Sequence, residues 1–219
     1  MPLARLPRLF VILNALDGHH AIPEDMVKEV LDSVPSGGVG LIDRVAGSEG
    51  GAPPDRLRLA RLKTLRRWTE DRGHFLVVSG RADLAMAVHA DGVQVPERGL
   101  SLRRLRAAFP SLLFGRSCHD RAGLELARSE GAAWAFLSPV WRPLSKPEWP
   151  LAPLGADGFA SAVAGIDLPV YALGGVSGKS VLRLRGSGAY GVVCIGAIAD
   201  AASPGQQARV LWQAISRGQ

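Results

Sequence analysis

The chain has 219 residues, of which 47% are apolar and 21% charged, enough to bury a substantial core in one domain or two small ones. Its apolar runs stay well short of the roughly 20 residues that cross a bilayer, and the first of them leads into Asn14 without a signal-peptide cleavage pattern. The net charge of +6 comes from arginines spread along helical segments, not alternating with aromatic residues, which favours a solvated basic surface over a nucleic-acid face.

Two cysteines, Cys118 and Cys194, both lie in apolar stretches, which suits a reduced compartment. We therefore expect a cytoplasmic protein with no membrane span and no nucleic-acid partner. Residues 1–219 are expected to form a single domain, and a homo-oligomer is left open.

Short β-branched apolar runs recur along the chain with helix-like segments between them. The predicted strands are Leu9–Leu13, Val39–Asp43, Phe75–Ser79, Gly92–Val95, Leu112–Gly115, Ala135–Ser138, Val170–Leu173 and Val192–Ile195. The predicted helical segments are Pro23–Ser33, Asp55–Asp71, Ser101–Ala108, Arg121–Arg128, Gly158–Ala164, Ser180–Arg185, Gly196–Ala201 and Gln206–Ser216.

Apolar strands that alternate with helices are typical of a parallel sheet buried on both faces. Eight of them in a chain of this length predict an α/β fold, the (β/α)8 TIM barrel. The alternative, an open doubly wound sheet, usually carries GxGxxG after its first strand, where this chain has Asn14–Asp17. Two long loops, Arg44–Pro54 and Pro139–Pro153, follow predicted strands on the side where barrels build their active sites.

The stretch Gly174–Ser180 reads GGVSGKS and at first suggests a nucleotide-binding P-loop. The first P-loop glycine would have to stand at Leu173, and the stretch follows the seventh strand, so this interpretation is rejected. A barrel phosphate site explains it better, with Gly174 and Gly175 admitting an anion to the backbone and Ile195, Gly196 and Ala197 opening a short helix beside it. Glycines that only permit tight turns remain the alternative.

Five blocks at the predicted strand ends occur in a recognisable order. They are Val78–Ala85 (VSGRADLA), Gly92–Pro96 (GVQVP), Gly115–His119 (GRSCH), Ser145–Pro147 (SKP) and Ala172–Val176 (ALGGV). Over about residues 75–200 the chain resembles the thiamine phosphate synthase/TenI family. The resemblance implies an enzyme of thiamine biosynthesis whose partner is a small phosphorylated thiazole.

That family has two activities. The synthase couples a thiazole phosphate to a pyrimidine pyrophosphate and holds Mg²⁺ with two aspartates, whereas the TenI-type tautomerase shifts a proton on a carboxylated thiazole phosphate and needs no metal. This chain has Gly80 where the first aspartate would stand and Pro96–Gly99 where the second would. The resemblance therefore favours a TenI-like thiazole tautomerase, an isomerase without a cofactor. The Mg²⁺-dependent synthase, a transferase, and a catalytically lapsed phosphate-binding barrel are the alternatives.

The resemblance also implies site residues. His119 would be the acid/base, because histidine can take and return a proton near neutral pH; a helix-start role is the alternative. The expected substrate-binding residues are Arg44, Ser79, Arg81, Gln94, Ser117, Ser145 and Lys146. For Gln94 the alternative is a side chain that fills the top of the barrel. Arg116 would either face the site or form a salt bridge. Trp141 and Trp149 would either cover the thiazole ring or pack their loop.

Overall fold

Eight parallel strands pair with their neighbours in chain order and close on themselves, β1 against β8. The computed structural model describes residues 6–14, 23–45, 54–142 and 151–216. The strands are β1 (Leu9–Asn14), β2 (Val39–Arg44), β3 (Phe75–Ser79), β4 (Gly92–Val95), β5 (Leu113–Cys118), β6 (Trp134–Leu137), β7 (Val170–Leu173) and β8 (Gly191–Cys194). The helices are α1 (Glu24–Ser33), α2 (Asp55–Asp71), α3 (Ala82–Ala87), α4 (Leu102–Ala108), α5 (Arg121–Ser129), α6 (Gly155–Val163), α7 (Gly196–Ala199) and α8 (Pro204–Ser216). The predicted (β/α)8 barrel is confirmed.

Three elements differ from their predicted form in an instructive way. The sequence predicts an end to β5 at Gly115, whereas the strand continues to Cys118 and Gly115 pairs with both Gln94 and Trp134. The helix α3 was not predicted, because six residues are too few to show an apolar period. The helix predicted after β7 is a short 3-10 turn, Val181–Leu184.

Large aromatic side chains fill the barrel interior, into which alternate strand residues point. The rings of Phe10, Phe136 and Tyr171 have centroids 5.0 to 5.7 Å apart, and Trp134 lies 5.8 Å from Phe10. All four side chains are buried. They fit because the neighbouring strands carry glycines at the same level. A Cβ would overlap one of these rings at any of Gly40, Gly92, Gly115 and Gly191.

The opposite faces of the strands pack against the helices, and one buried charge fixes α2 there. The carboxylate of Asp43 has no exposed surface and accepts hydrogen bonds from Arg58 Nε at 2.8 Å and Arg61 Nε at 3.1 Å. Arg58 also donates to the carbonyl of Ser79 at 3.0 Å, which ties α2 to the end of β3. Within the described ranges, no helix is both long and apolar enough to span a membrane.

His74, just before β3, is a buried histidine with one satisfied nitrogen. Its Nε2 lies 2.9 Å from the carbonyl oxygen of Leu31, so Nε2 carries the hydrogen, and the buried Nδ1 has no hydrogen-bond partner. Burial lowers the pKa of His74, the neighbouring charge of Arg72 lowers it further, and the Leu31 hydrogen bond and Asp32 oppose the change. The folded protein therefore prefers the neutral ring.

This preference predicts a pH-dependent stability. The pKa of His74 is lower in the folded than in the unfolded chain, so its neutral ring stabilises the fold fully above about pH 6.5 and progressively less below it. Urea unfolding at several pH values between about 7.5 and 5.5 should show a smaller loss of unfolding free energy in His74→Gln than in the parent chain. The exposed His89, replaced by Asn, is the control. Equal losses in the parent and His74→Gln would contradict the assignment.

Candidate functional site

The carboxyl ends of the strands form the barrel mouth, where polar residues succeed the aromatic ones. Counting every second residue along each strand from the aromatic layer reaches Asn14 on β1, Arg44 on β2, Ser79 on β3 and Ser117 on β5. Asn14 pairs in register with Arg44, and Ser79 pairs with Gln94 of β4. The sequence-predicted residues of these strands therefore share one end of the barrel.

Gln94 connects the aromatic core to the mouth. Its Oε1 accepts from Trp134 Nε1 at 2.8 Å and its Nε2 donates to Ser117 Oγ at 3.0 Å. Because an indole N–H can only donate, the first bond fixes the orientation of the amide. The side chain is only 6% exposed, so its visible function is to form the floor of the site and orient the Ser117 hydroxyl. Direct contact of Gln94 or Ser117 with a substrate stays a prediction.

His119 follows β5 and is held through one ring nitrogen. Its Nδ1 lies 2.6 Å from the carbonyl oxygen of Ser138, which can only accept, so Nδ1 carries the hydrogen. In the neutral ring Nε2 is then the basic nitrogen, and it lies 4.0 Å from the Glu97 carboxylate. Asp120 caps α5 by accepting from Gly123 N at 2.8 Å, as the helix-start alternative for His119 also predicts. This geometry suits a histidine that exchanges protons through Nε2.

Arg44 is oriented by a residue that the sequence analysis did not assign to the site. Its Nε and Nη2 donate to Asn14 Oδ1 at 3.1 and 2.7 Å. Asn14 is 6% exposed, whereas Arg44 is half-buried. The inward alternation of Phe10, Ile12 and Asn14 along β1 was the signal that could have identified it.

Arg81 is directed towards helix carboxylates. Its guanidinium donates to both carboxylate oxygens of Asp55 at 2.8 Å and to both of Asp83 at 2.9 and 2.7 Å. The Arg81 hydrogen bond lowers the pKa of Asp83 to about 2. Two carboxylates thus neutralise Arg81, and its predicted contact with a substrate would require these pairs to open. Ser79, which precedes it at the end of β3, is half-buried.

The glycine pair after β7 is required by the backbone itself. Gly174 and Gly175 have φ of +97° and +62°, in the left-handed region that favours glycine. A Cβ on Gly175 would lie 2.7 Å from Trp141 Cβ, and one on Gly174 would lie 3.0 Å from Pro139 Cα. Trp141 N also donates to the Gly174 carbonyl at 3.0 Å. Because these contacts explain both glycines without an anion, the phosphate role stays a prediction.

The other predicted half of the phosphate site stands beside this turn. Pairing of Leu173 with Val193 makes the residues after β7 and β8 neighbours. Ile195 precedes α7 and its carbonyl accepts from Ile198 N and Ala199 N at 3.1 and 3.0 Å. The first N–H groups of a helix have no acceptor within it. Those of Gly196 and Ala197 are therefore the donors that an anion would use.

The loop after β6 is described only in part. Ser145, Lys146 and Trp149 lie in residues 143–150, outside the described residues. Trp141 is described; it is half-buried and packs against the core between strands and helices, in line with the loop-packing alternative. Of the two predictions for Arg116, the salt bridge is found: its Nη2 lies 3.0 Å from Glu130 Oε2, and Arg116 is only 7% exposed.

The described residues do not fit the Mg²⁺ site of the synthase branch. Gly80 has φ of +74°, a left-handed conformation in which any side chain is strained, although a Cβ there would meet nothing within 4 Å. Asp43, the buried carboxylate nearby in β2, is held by two arginines. In the part of the chain that the structure describes, no three His, Cys, Asp or Glu residues lie close enough to hold a metal ion.

Comparisons with known proteins identify relatives of this chain. The family model described as thiamine monophosphate synthase matches residues 17–198. A Geobacter sulfurreducens protein provisionally named thiamine-phosphate synthase is 35% identical over 159 residues, covering 72% of this chain and 74% of its own. A thiamine-phosphate synthase of Chloroflexus aurantiacus is 30% identical over 67% of this chain and 69% of its own. That of Parasynechococcus marenigrum is 35% identical over 74% of this chain, which spans only 46% of that longer protein.

A solved structure supports the fold independently. Thiamine phosphate pyrophosphorylase from Pyrococcus furiosus superposes with a TM-score of 0.79, covering 98% of this chain and 97% of its own. At 23% identity this likeness concerns the fold alone.

The close approach at Gly175 predicts a measurable cost of substitution. Gly175→Ala adds a clash with Trp141 to left-handed strain, whereas Gly165→Ala, at φ of +72° with nothing within 4 Å, adds strain alone. Strain should cost roughly 1–2 kcal/mol in each variant, and the clash roughly 1–3 kcal/mol more in Gly175→Ala. Urea unfolding of both variants measures the difference. Equal losses would show that the approach of the β6 loop is not what excludes a side chain.

Proposed function

This chain belongs to the thiamine monophosphate synthase family, and on that premise we propose that it acts in thiamine biosynthesis on a phosphorylated thiazole at the barrel mouth. Within the family we propose the tautomerase reaction, in which His119 moves a proton on a carboxylated thiazole phosphate until the ring is aromatic. The observation that carries this choice is the 2.6 Å contact between His119 Nδ1 and the Ser138 carbonyl. It makes Nε2 the basic nitrogen at the carboxyl end of a barrel strand.

The proton transfer balances on His119 alone. Nε2 takes a proton from a ring carbon, and the electron pair of the broken C–H bond enters the conjugated system of the substrate. The imidazolium then returns the proton to another atom of that system, which leaves the thiazole aromatic and the histidine neutral. The net change is the position of one proton, so the reaction needs neither a metal nor a second substrate.

The anionic groups of the substrate would bind on either side of His119. We propose that the phosphate accepts hydrogen bonds from the backbone around Gly174, Gly175, Ile195, Gly196 and Ala197, since the two turns that carry them are neighbours. Arg44 is the cation that we assign to the carboxylate, because Asn14 orients its guanidinium at the mouth. Ser145 and Lys146 keep the substrate-binding roles that the family resemblance implies.

An aromatisation assay tests the catalytic role. His119→Ala should lower kcat by about a hundredfold or more, because a positioned acid/base contributes roughly 10²–10⁴-fold. The control His89→Asn removes an exposed histidine and should retain full activity. Full activity in His119→Ala would refute the role assigned to His119. Phosphate-ligand binding without turnover of either substrate would favour a lapsed barrel.

Thiamine phosphate synthase is the second candidate, and the names of the relatives favour it. The lack of a carboxylate at Gly80 argues against it, because departure of pyrophosphate builds up charge that Mg²⁺ normally neutralises. The purified protein is expected to show no Mg²⁺-dependent coupling of thiazole phosphate to pyrimidine pyrophosphate, and Gly80→Asp tests whether a restored carboxylate creates it. Coupling by the parent chain that EDTA abolishes would establish the synthase and overturn the tautomerase proposal.

A further inference from the structure

A single buried side chain fastens the segment that follows β4. Arg116, on β5, donates from Nη1 to the carbonyl of Pro96 at 2.8 Å and from Nη2 to that of Leu100 at 2.8 Å. A longer contact, 3.4 Å, joins Nη1 to the carbonyl of Glu97. The side chains of Glu97 and Leu100 are exposed, so the hold on this segment comes from its backbone.

Glu130, at the end of α5, fixes the direction of the guanidinium. Its Oε2 accepts from Arg116 at 3.0 Å and from the backbone of Leu102 at 3.0 Å, while Oε1 accepts from Ser101 at 2.7 Å. Burial alone would raise the pKa of Glu130, but these hydrogen bonds outweigh it and lower the pKa. A charged Glu130 therefore neutralises Arg116 and leaves its donors aimed at the segment 96–100.

The consequence of this clamp is the position of Glu97. Its carboxylate lies 4.0 Å from His119 Nε2, which is too long for a hydrogen bond and short enough for direct charge attraction. Among the described residues near His119 in the chain, Asp120 accepts from Gly123 N and Arg116 is paired with Glu130, while Ser138, which follows β6, is uncharged. Among the described residues, Glu97 is the carboxylate found within 4.0 Å of the basic nitrogen.

We propose that Glu97 and Arg116 are positioning residues for His119. The negative charge of Glu97 stabilises the proton that Nε2 takes up, and Arg116 holds Glu97 at the distance where it does so. The catalytic part of this inference rests on the proposed function, because the proton that His119 Nε2 takes up is the one removed from the thiazole. The carboxylate does not bond to that proton; it lowers the energy of the imidazolium until the proton returns to the substrate.

The charge relation is tested first on the substrate-free protein, which makes the result independent of any activity. NMR of the His119 ring carbon follows the pH at which the ring takes up its proton. In Glu97→Gln that pH should fall, because a neighbouring carboxylate favours the protonated ring. Glu70→Gln makes the same charge change in the last turn of α2, on the side of the barrel away from the mouth, and should have no effect. An unchanged His119 titration in Glu97→Gln overturns the proposal.

Kinetics then test whether the charge of Glu97 contributes to turnover. In the aromatisation assay Glu97→Gln should lower kcat by about tenfold, as loss of a charge contact at this distance in a partly exposed site predicts, with KM changed less than about twofold. Arg116→Lys keeps the charge but loses the two-pronged guanidinium that donates to the carbonyls of the segment 96–100. It should therefore lower kcat in the parent chain and have little further effect when Glu97→Gln is already present. If the kcat losses of Arg116→Lys and Glu97→Gln add in the double variant, the role of Arg116 is overturned. An unchanged kcat in Glu97→Gln would overturn the role of Glu97. If the parent lacks turnover, the proposed function fails, and the NMR result alone decides whether Glu97 controls the charge of His119.

Discussion

The packing of four aromatic side chains inside the barrel is the constraint on which the rest of the structure depends. Phe10, Trp134, Phe136 and Tyr171 occupy the interior, and the glycines beside them leave no volume for a Cβ. Tyr171 is anchored as well, since its hydroxyl donates to the Pro7 carbonyl at 2.6 Å. A close-packed interior of this kind cannot shift by small amounts, so the strand ends above it stand at fixed heights.

The packing of that interior determines the geometry of the mouth. Trp134 fixes the amide of Gln94, and Gln94 in turn orients Ser117. On the far side the β6 loop approaches the β7 turn so closely that only glycine fits at Gly174 and Gly175. The site is therefore assembled from backbone positions and short hydrogen bonds, with His119 between the polar floor and the β6 loop.

The sequence predicted the barrel because apolar strands and helices alternate with regular spacing, and this signal is local. The partners of the site residues were harder to predict, because they come from distant parts of the chain. Arg81 stands at the strand end that its motif implies, but Asp55 on another helix determines where its guanidinium points. The same holds for Arg116, which Glu130 and the carbonyls of the segment 96–100 engage. The predicted end of β5 at Gly115 is wrong, because a glycine usually ends a strand and here accommodates the indole of Trp134.

The hydrogen bonds of Gln94 have a consequence for how such a barrel can diverge. Trp134 and Gln94 couple the structural interior to the mouth, whereas Arg44 and His119 form their hydrogen bonds with Asn14 and Ser138, beyond the aromatic layer. Substitutions at those outer positions should leave the packing that stabilises the fold in place. The same scaffold can therefore carry different side chains at the mouth, so that fold stability and reaction type respond to selection separately.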